Sequence, residues 1–443
     1  MDCDTNLVKI ETKTKGMLDK YLSDNQLSTA SRIEIAGPMS DEDVVLLGKY
    51  IRSHSNITSI DLKSVTNLTS VDHNAFEKCK ALEQVILPLS IKRIGDHAFD
   101  QCTNIKALEL PETVEIVGDR SFSGCENLES INIPHNVSYI GIGAFYGCYK
   151  LTDVKVAPAN NRYENRGGVL FDNVDKTLVR YIQTKQLEKV FTTPEGVVHI
   201  GNYAFDGCKG LVSVIVSEGC TDLGERSFTK CNELIKISLP ASINNLDYNA
   251  FDDCDALEEI IVDHQNETYQ SMRGVLYSKD MRTLKICPKS KKSPFFFPET
   301  IEVVDEGAFS GCKNIKSVVL PNKTKDIKAK AFYNCERLES INIPTSLESI
   351  GDFGFANCYN LKKIMVYSSN PPKCGVSPFA GVDQKNCLII VPIDAEIEFR
   401  KDYGWDSFEN IEESINLTIG SNFTFTRRVG LKLKRFILTH FNK

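Results

Sequence analysis

A phenylalanine returns every 23 residues along most of this chain. Phe76, Phe99, Phe122 and Phe145 hold the interval, Phe205, Phe228 and Phe251 resume it, and Phe309, Phe332 and Phe355 resume it again before Phe379 follows at 24. A fixed period of this length constrains the fold strongly. Each repeat is one supersecondary unit that cannot bury its apolar side alone and must stack on its copies. Stacking also lifts the ceiling of about 250–300 residues on a single core, so 443 residues need not divide into separate globules.

The frame around each phenylalanine is Ala/Ser-Phe-x-x-Cys-x-x-Leu-x-x-Ile-x-Leu-Pro, as in AFEKCKALEQVILPLSIKRIGDH from Ala75. Val85 and Leu87 alternate inward, which predicts a short strand that Pro88 ends. The spacing of three from Phe76 to Cys79 to Leu82 predicts a helical or 3-10 turn placing Phe and Cys between strand and outer wall. Gly95, Gly118, Gly141 and Gly351 recur where the chain must bend back. The expected fold is an α/β repeat solenoid with a curved parallel β-sheet, its neighbouring strands about 4.8 Å apart.

Two interruptions divide the period. Phe145 to Phe205 is 60 residues and Phe251 to Phe309 is 58, which leaves 37 and 35 beyond one repeat. Both carry Gly-Val-Leu-Phe/Tyr, a mostly polar stretch and a second apolar strand, so each is expected to be an inserted β-hairpin. The ends depart from the frame as capping units must. Val44, Leu47 and Ile51 have helical spacing after Ser40 and Asp43, a capping-box start. At the other end Trp405, the one tryptophan, is expected to cover the last coil. The expected organisation is a helix-containing N-terminal region 1–58, repeats over 59–157, 197–262 and 301–368, inserted hairpins over 158–196 and 263–300, a closing unit 369–415 and a basic tail 416–443.

Composition narrows the function. A net charge of -7 gives no general attraction to nucleic acid or anionic membrane. The start from Met1 to Gln26 lacks the apolar run of about 7–15 residues of a signal peptide, and no stretch approaches the roughly 18–20 apolar residues of a bilayer span. Most of the cysteines sit at one register of the repeat, as in Cys79, Cys102, Cys125 and Cys148, and there is no CxxC pair. They read as packing residues rather than a metal or redox site. Cys374 and Cys387 fall off that register and could pair in an oxidising setting. Gly141-Ile142-Gly143-Ala144-Phe145-Tyr146-Gly147 superficially resembles a nucleotide loop, but its third glycine is one residue late and the βαβ context is absent. No catalytic residue, metal or cofactor is expected.

The frame at period 23 resembles the BspA-like leucine-rich repeats of bacterial and protozoan surface proteins. The resemblance runs from Ser59 to Glu413 and includes the two Gly-Val-Leu-Phe/Tyr hairpins and a closing Val391-Pro392, Tyr403, Gly404-Trp405, Phe408, Ile411 pattern. It implies a leucine-rich-repeat horseshoe and a non-catalytic adhesion role, binding a host, matrix or neighbouring-cell protein. Family resemblance points to the cell surface. The missing signal peptide points instead to an intracellular scaffold using the same face.

That face is expected to be the concave sheet. Its outward central column reads Ile86, Glu109, Asn132, Lys155, Ile215, Ser238, Ile261, Val319, Asn342 and Met365. The adjacent column is polar, with Gln84, Ala107, Ser130, Asp153, Ser213, Lys236, Glu259, Ser317, Ser340 and Lys363. Ile215, Ile261, Val319 and Met365 among Ser, Asn and Lys have the composition of a protein-binding strip. The tail carries Arg427, Arg428, Lys432, Lys434, Arg435 and Lys443 without an acid. It is expected to lie outside the solenoid as a peripheral membrane-surface or partner contact, the alternative being a disordered end or one extra strand.

Overall fold

The computed structural model describes residues 6–22, 28–182 and 189–420. The chain divides into two compact units, Met1–Glu233 with Asn245–Phe251, and Leu234–Asn244 with Asp252–Lys443.

The first unit opens with β1 (Leu7–Glu11), β2 (Arg32–Pro38), helix α1 (Asp41–Ser53) and β3 (Ser59–Thr66), the strands parallel in that order. β1 is an addition to the sequence reading. The expected capping box is present: the Ser40 hydroxyl accepts from the Asp43 amide at 3.3 Å, and Asp43 Oδ2 accepts from the Ser40 amide at 2.9 Å. Asp43 also accepts from the Gly16 and Leu18 amides at 2.7 and 3.0 Å. Burial pushes its carboxyl up, but these donors outweigh it and hold the pKa below the ordinary aspartate value.

Each following coil contributes a rung to each of two parallel ladders. The wide ladder is the expected sheet: Gln84–Ile86 pairs with β3, and Ala107–Leu108, Ser130–Ile133 and Asp153–Val156 form a separate three-stranded stretch after it. The narrow ladder stacks Ser70–Val71, Arg93–Ile94, Ile116–Val117 and Tyr139–Ile140. Gly95, Gly118 and Gly141 follow three of these rungs and lie tight against the coil before. A Cβ on Gly118 would meet Asp96 Oδ1 at 2.4 Å and one on Gly141 would meet Asp119 Oδ1 at 2.3 Å. Those same oxygens accept from the Asp119 and Ile142 amides at 3.0 and 2.8 Å.

The Ala-Phe-x-x-Cys segment is a chain of hydrogen-bonded turns where a helical or 3-10 turn was expected. The Cys102 amide bonds the Phe99 carbonyl within the coil, while the Phe76 and Lys78 amides bond the Ala98 and Asp100 carbonyls of the next coil at 2.7 Å each. His97 and Gln101, at φ 56° and 59°, break the helical path and divert alternate amides to the neighbour. Stacking thereby acquires a third row of backbone hydrogen bonds. Inside it the rings of Phe76, Phe99, Phe122 and Phe145 lie parallel, with centroids 5.3, 5.6 and 5.9 Å apart. The cysteines do more than fill space. The Cys102, Cys125 and Cys148 thiols donate to the carbonyls of Phe76, Phe99 and Phe122 in the preceding coil at 3.0–3.2 Å.

The first insertion is three antiparallel strands, β4 (Tyr163–Arg166), β5 (Val169–Asp172) and β6 (Thr177–Tyr181), where a two-stranded hairpin was expected. β6 pairs in parallel with His199–Ile200 and so restarts the narrow ladder, which continues through Asp222–Leu223 to Asn245–Leu246. The wide ladder stops at Asp153–Val156 and resumes as Val190–Thr192 on Ser213–Ile215.

The second unit repeats the plan. Lys236–Leu239 pairs with Glu259–Val262. Then β7 (Tyr269–Met272), β8 (Val275–Ser278) and β9 (Thr283–Ile286) interrupt, and β9 restarts the narrow ladder on Val303–Val304. The wide ladder resumes as Ser317–Val319, Ser340–Ile343 and Lys363–Val366, and ends on β10 (Leu388–Val391) and β11 (Asn410–Glu413). Phe309, Phe332, Phe355 and Phe379 stack at 4.9, 5.0 and 5.6 Å. Trp405 closes the row as expected: it is fully buried against Phe379, and its Nε1 donates to the Pro372 carbonyl at 3.0 Å. Cys374 and Cys387 are separate free thiols. Leu417 is buried, and residues 421–443, which hold the six basic side chains of the tail, lie outside the described residues.

Candidate binding surface and hairpin cavity

Strand geometry turns alternate side chains of the wide ladder out of the core. In the first unit Asp61 stands opposite Ile86, Asn132 opposite Lys155 and Thr192 opposite Ile215. Ile215 is 42% exposed, Glu109 and Lys155 are exposed, and Ile86 is half-buried. Asn132 is committed internally, since its side-chain amide accepts from the Leu110 amide at 2.7 Å and donates to the Leu110 carbonyl at 2.9 Å. In the second unit Ser238 faces Ile261, and Val319, Asn342 and Met365 form a continuous row, all of them half-buried.

The column is interrupted by the insertions, which its residues alone do not reveal. Beyond Asp153–Val156 stands the first insertion, with Asn165 Nδ2 donating to the Val154 carbonyl at 3.1 Å. Beyond Glu259–Val262 the turn of the second approaches, and the Ile260 amide donates to the Gly274 carbonyl at 3.0 Å. The column also extends past the residues read from the repeats. In the first unit it includes Lys9, Glu34 and Asp61, tied together by Lys9–Glu34 at 3.0 Å, Arg32–Glu34 at 3.0 Å and Arg32–Asp61 at 3.4 Å. In the second unit it includes Ile390 and Glu412. Those residues lie outside the 23-residue frame, so the repeat gave no signal for them.

At the first insertion the stack needs different chemistry. Arg180 is 5% exposed and donates to the Tyr203 and Asp206 carbonyls at 3.1 Å each. The Asp206 carboxylate, fully buried, lies 4.0 Å from Arg180 and accepts from the Gly147 amide at 2.7 Å. Burial raises its pKa, and the nearby Arg180 charge only partly opposes that rise. Its Oδ1 has no partner among the described residues. Lys230 sits over the Tyr146 and Tyr149 rings and donates to both hydroxyls, at 3.3 and 3.0 Å. Beneath the insertion a cavity of about 170 Å³ is bounded by Tyr139, Tyr146, Arg162, Asp175, Arg180 and Tyr203, together with the Gly141–Tyr146 segment. Among the described residues no group of three or more His, Cys, Asp or Glu is placed to hold a metal ion.

Residues 46–167, 181–293 and 285–397 match the BspA type leucine rich repeat region, a family described by six copies of the repeat. No curated protein matches the chain. Among solved structures it is similar to a leucine rich cell surface protein from Faecalibacterium prausnitzii A2-165, with 25% identity, 76% of this chain and 73% of that one covered, and a TM-score of 0.44. A leucine-rich repeat protein from Eubacterium ventriosum ATCC 27560 gives 18% identity, coverage of 88% and 75%, and a TM-score of 0.39. The pneumococcal vaccine antigen PcpA gives 16%, 87% and 79%, and 0.34.

Proposed function

This chain belongs to the BspA-type leucine-rich repeat family, and from that premise we propose that it is a non-catalytic recognition protein whose wide-ladder face binds another protein. One observation carries the reading. Each unit presents outward side chains in register on a hydrogen-bonded parallel ladder, with Ile215 exposed in the first and Ile261, Val319 and Met365 half-exposed in the second. Fixed β-branched and apolar side chains ringed by Ser, Asn and Lys lose little conformational entropy on binding, which favours their use as contact residues. The buried charges fit the same reading, because Asp43, Asp206 and Arg180 are engaged with backbone groups. A surface adhesin is the form of this function we favour, given the cell surface protein among the similar structures.

Two measurements test it. Surface plasmon resonance of the whole chain over a panel of immobilised matrix proteins should give saturable binding to at least one. Protease treatment of intact cells should remove the chain. No saturable binding across the panel removes the matrix-adhesion form, and protection from protease removes the surface location.

A further inference from the structure

The cavity under the first insertion has no counterpart in the repeat frame. It exists because three things coincide. The wide ladder stops at Val156, so β4 to β6 fold across the end of the coil that carries Phe145. Gly143 stands at the position that is His97 and Arg120 in the two preceding coils, so no long side chain fills the space; a Cβ there would already lie 3.3 Å from Tyr203 Cδ2. And the insertion brings Arg162 and Asp175 to the rim.

The size and lining define a ligand class. A cavity of about 150 Å³ accepts a benzene ring, so about 170 Å³ accommodates one six-membered ring. Apolar walls would suit an aromatic ring, but these walls are mixed. Tyr139 is exposed and offers a ring face, whereas Tyr203 is buried beneath Arg120 and against Tyr146; the Tyr139 hydroxyl donates to Asp119 at 3.1 Å and the Tyr203 hydroxyl accepts from Arg120 at 3.1 Å. The charges at the wall cancel. Arg162 donates to Asp172 at 2.8 Å and also to Asp175, and Arg180 is held by the Tyr203 and Asp206 carbonyls. An anion would find no uncommitted guanidinium. Asp175, with 59% of its side chain exposed, keeps acceptor capacity at the mouth. An exposed aromatic face beside a carboxylate held by an arginine suits a neutral ring that is apolar on its faces and hydroxylated at its rim.

We propose that this cavity binds a single pyranose unit of a neutral glycan, with the Asp175 carboxylate accepting from adjacent hydroxyls and Tyr139 covering a face of the ring. The second insertion makes an internal control. By alignment of the two inserts, Arg162, Asp172 and Asp175 are replaced there by Thr268, Ser278 and Met281, and Met281 packs against the core of its unit.

Saturation-transfer NMR on the full chain tests this with methyl glucoside, methyl galactoside and methyl N-acetylglucosaminide as probes. At least one should receive saturation. Asp175→Ala and Tyr139→Ala should each weaken that glycoside roughly tenfold, the loss of one charge-assisted hydrogen bond or of one ring contact. Asp280→Ala in the second insertion should leave it unchanged. Thermal melting of every variant confirms folding, and Asp175 and Tyr139 are exposed enough that either variant alone suffices. The proposal is overturned if no glycoside receives saturation, if either folded cavity variant binds as the parent does, or if inorganic phosphate or adenosine displaces the glycoside at lower concentration.

Discussion

The two insertions share a backbone and differ in what they attach to it. Both anchor through an asparagine that spans the coil before: Asn160 Nδ2 donates to the Pro134 and Val137 carbonyls, and Asn266 Nδ2 to those of Pro240 and Ile243. Each then sets its tyrosine through the same side chain, with the Tyr163 and Tyr269 amides donating to it at 2.7 and 2.6 Å. The strand that restarts the ladder is capped by a cation in both. In the first this is Arg180, buried against Asp206; in the second Lys289 donates to the Ser310 carbonyl and lies 3.5 Å from a more exposed Asp252. The lesson is that an inserted strand can restart a ladder only if the carbonyls left open by the missing rung find donors. How deeply the donor is buried decides what else can be built there.

Depth should therefore separate the two caps in stability. Arg180→Met leaves Asp206 as an uncompensated buried charge and should cost about 3–5 kcal/mol, whereas Lys289→Met should cost about 1–2 kcal/mol. Guanidinium unfolding of both variants measures the difference, and equal costs would break the comparison.

Acid should then distinguish the buried carboxylates by sign. Asp43 has a lowered folded pKa, so its contribution is present above the unfolded value of about 3.9 and is lost as pH falls through the folded one. Asp206 has a raised folded pKa. Stability on its account increases as pH falls through that folded value and is complete below the unfolded one. Asp43→Asn should flatten the acid limb of the stability curve and Asp206→Asn should steepen it. Urea midpoints across the acid range read this out, and changes of the same sign in both would contradict the assignments.

The row thiols give a smaller, kinetic effect. Burial pushes Cys125 well above the ordinary thiol range and Cys148 to about 12, so little thiolate forms and both should label slowly in the native chain. Cys374, part-exposed although also pushed to about 12, should label before either of them. If Cys125 reacts as fast as in urea, the stacked row is wrong.

Much of this was legible in the sequence because the repeat averages over copies. Phe, Cys and Leu meet the same neighbours in every coil, so their roles show as period, and the capping box at Ser40 and Asp43 is local enough to read directly. Other features gave no such signal. The narrow ladder is made of two-residue rungs such as Arg93–Ile94, too short for alternation to register. The diversion of amides between coils depends on positive φ at unrelated residue types, His97, Lys78 and Tyr203 among them. Arg180 occurs once, at an interruption, and Asp206 shares its register with Asp100 and Asp252, so the period does not mark the two as a buried pair. The outward column was found by counting, but its breaks were not, because the insertions cross it only in three dimensions. Asn132 shows the limit of counting: its position is that of a contact residue, yet its amide is spent on Leu110.

The claim on which the rest depends is that recognition lies on the wide ladder and not on the turns behind it. Ile215→Asp, Ile261→Asp and Val319→Asp combined in one chain, set against Lys92→Ala with Lys328→Ala, decide it by surface plasmon resonance on whichever matrix protein the parent binds. The account predicts at least a roughly hundredfold loss for the ladder variant, as expected when several central contacts fail together, with a melting transition close to the parent's and unchanged binding for the lysine variant. Equal loss from both, or full binding by the ladder variant, would contradict it.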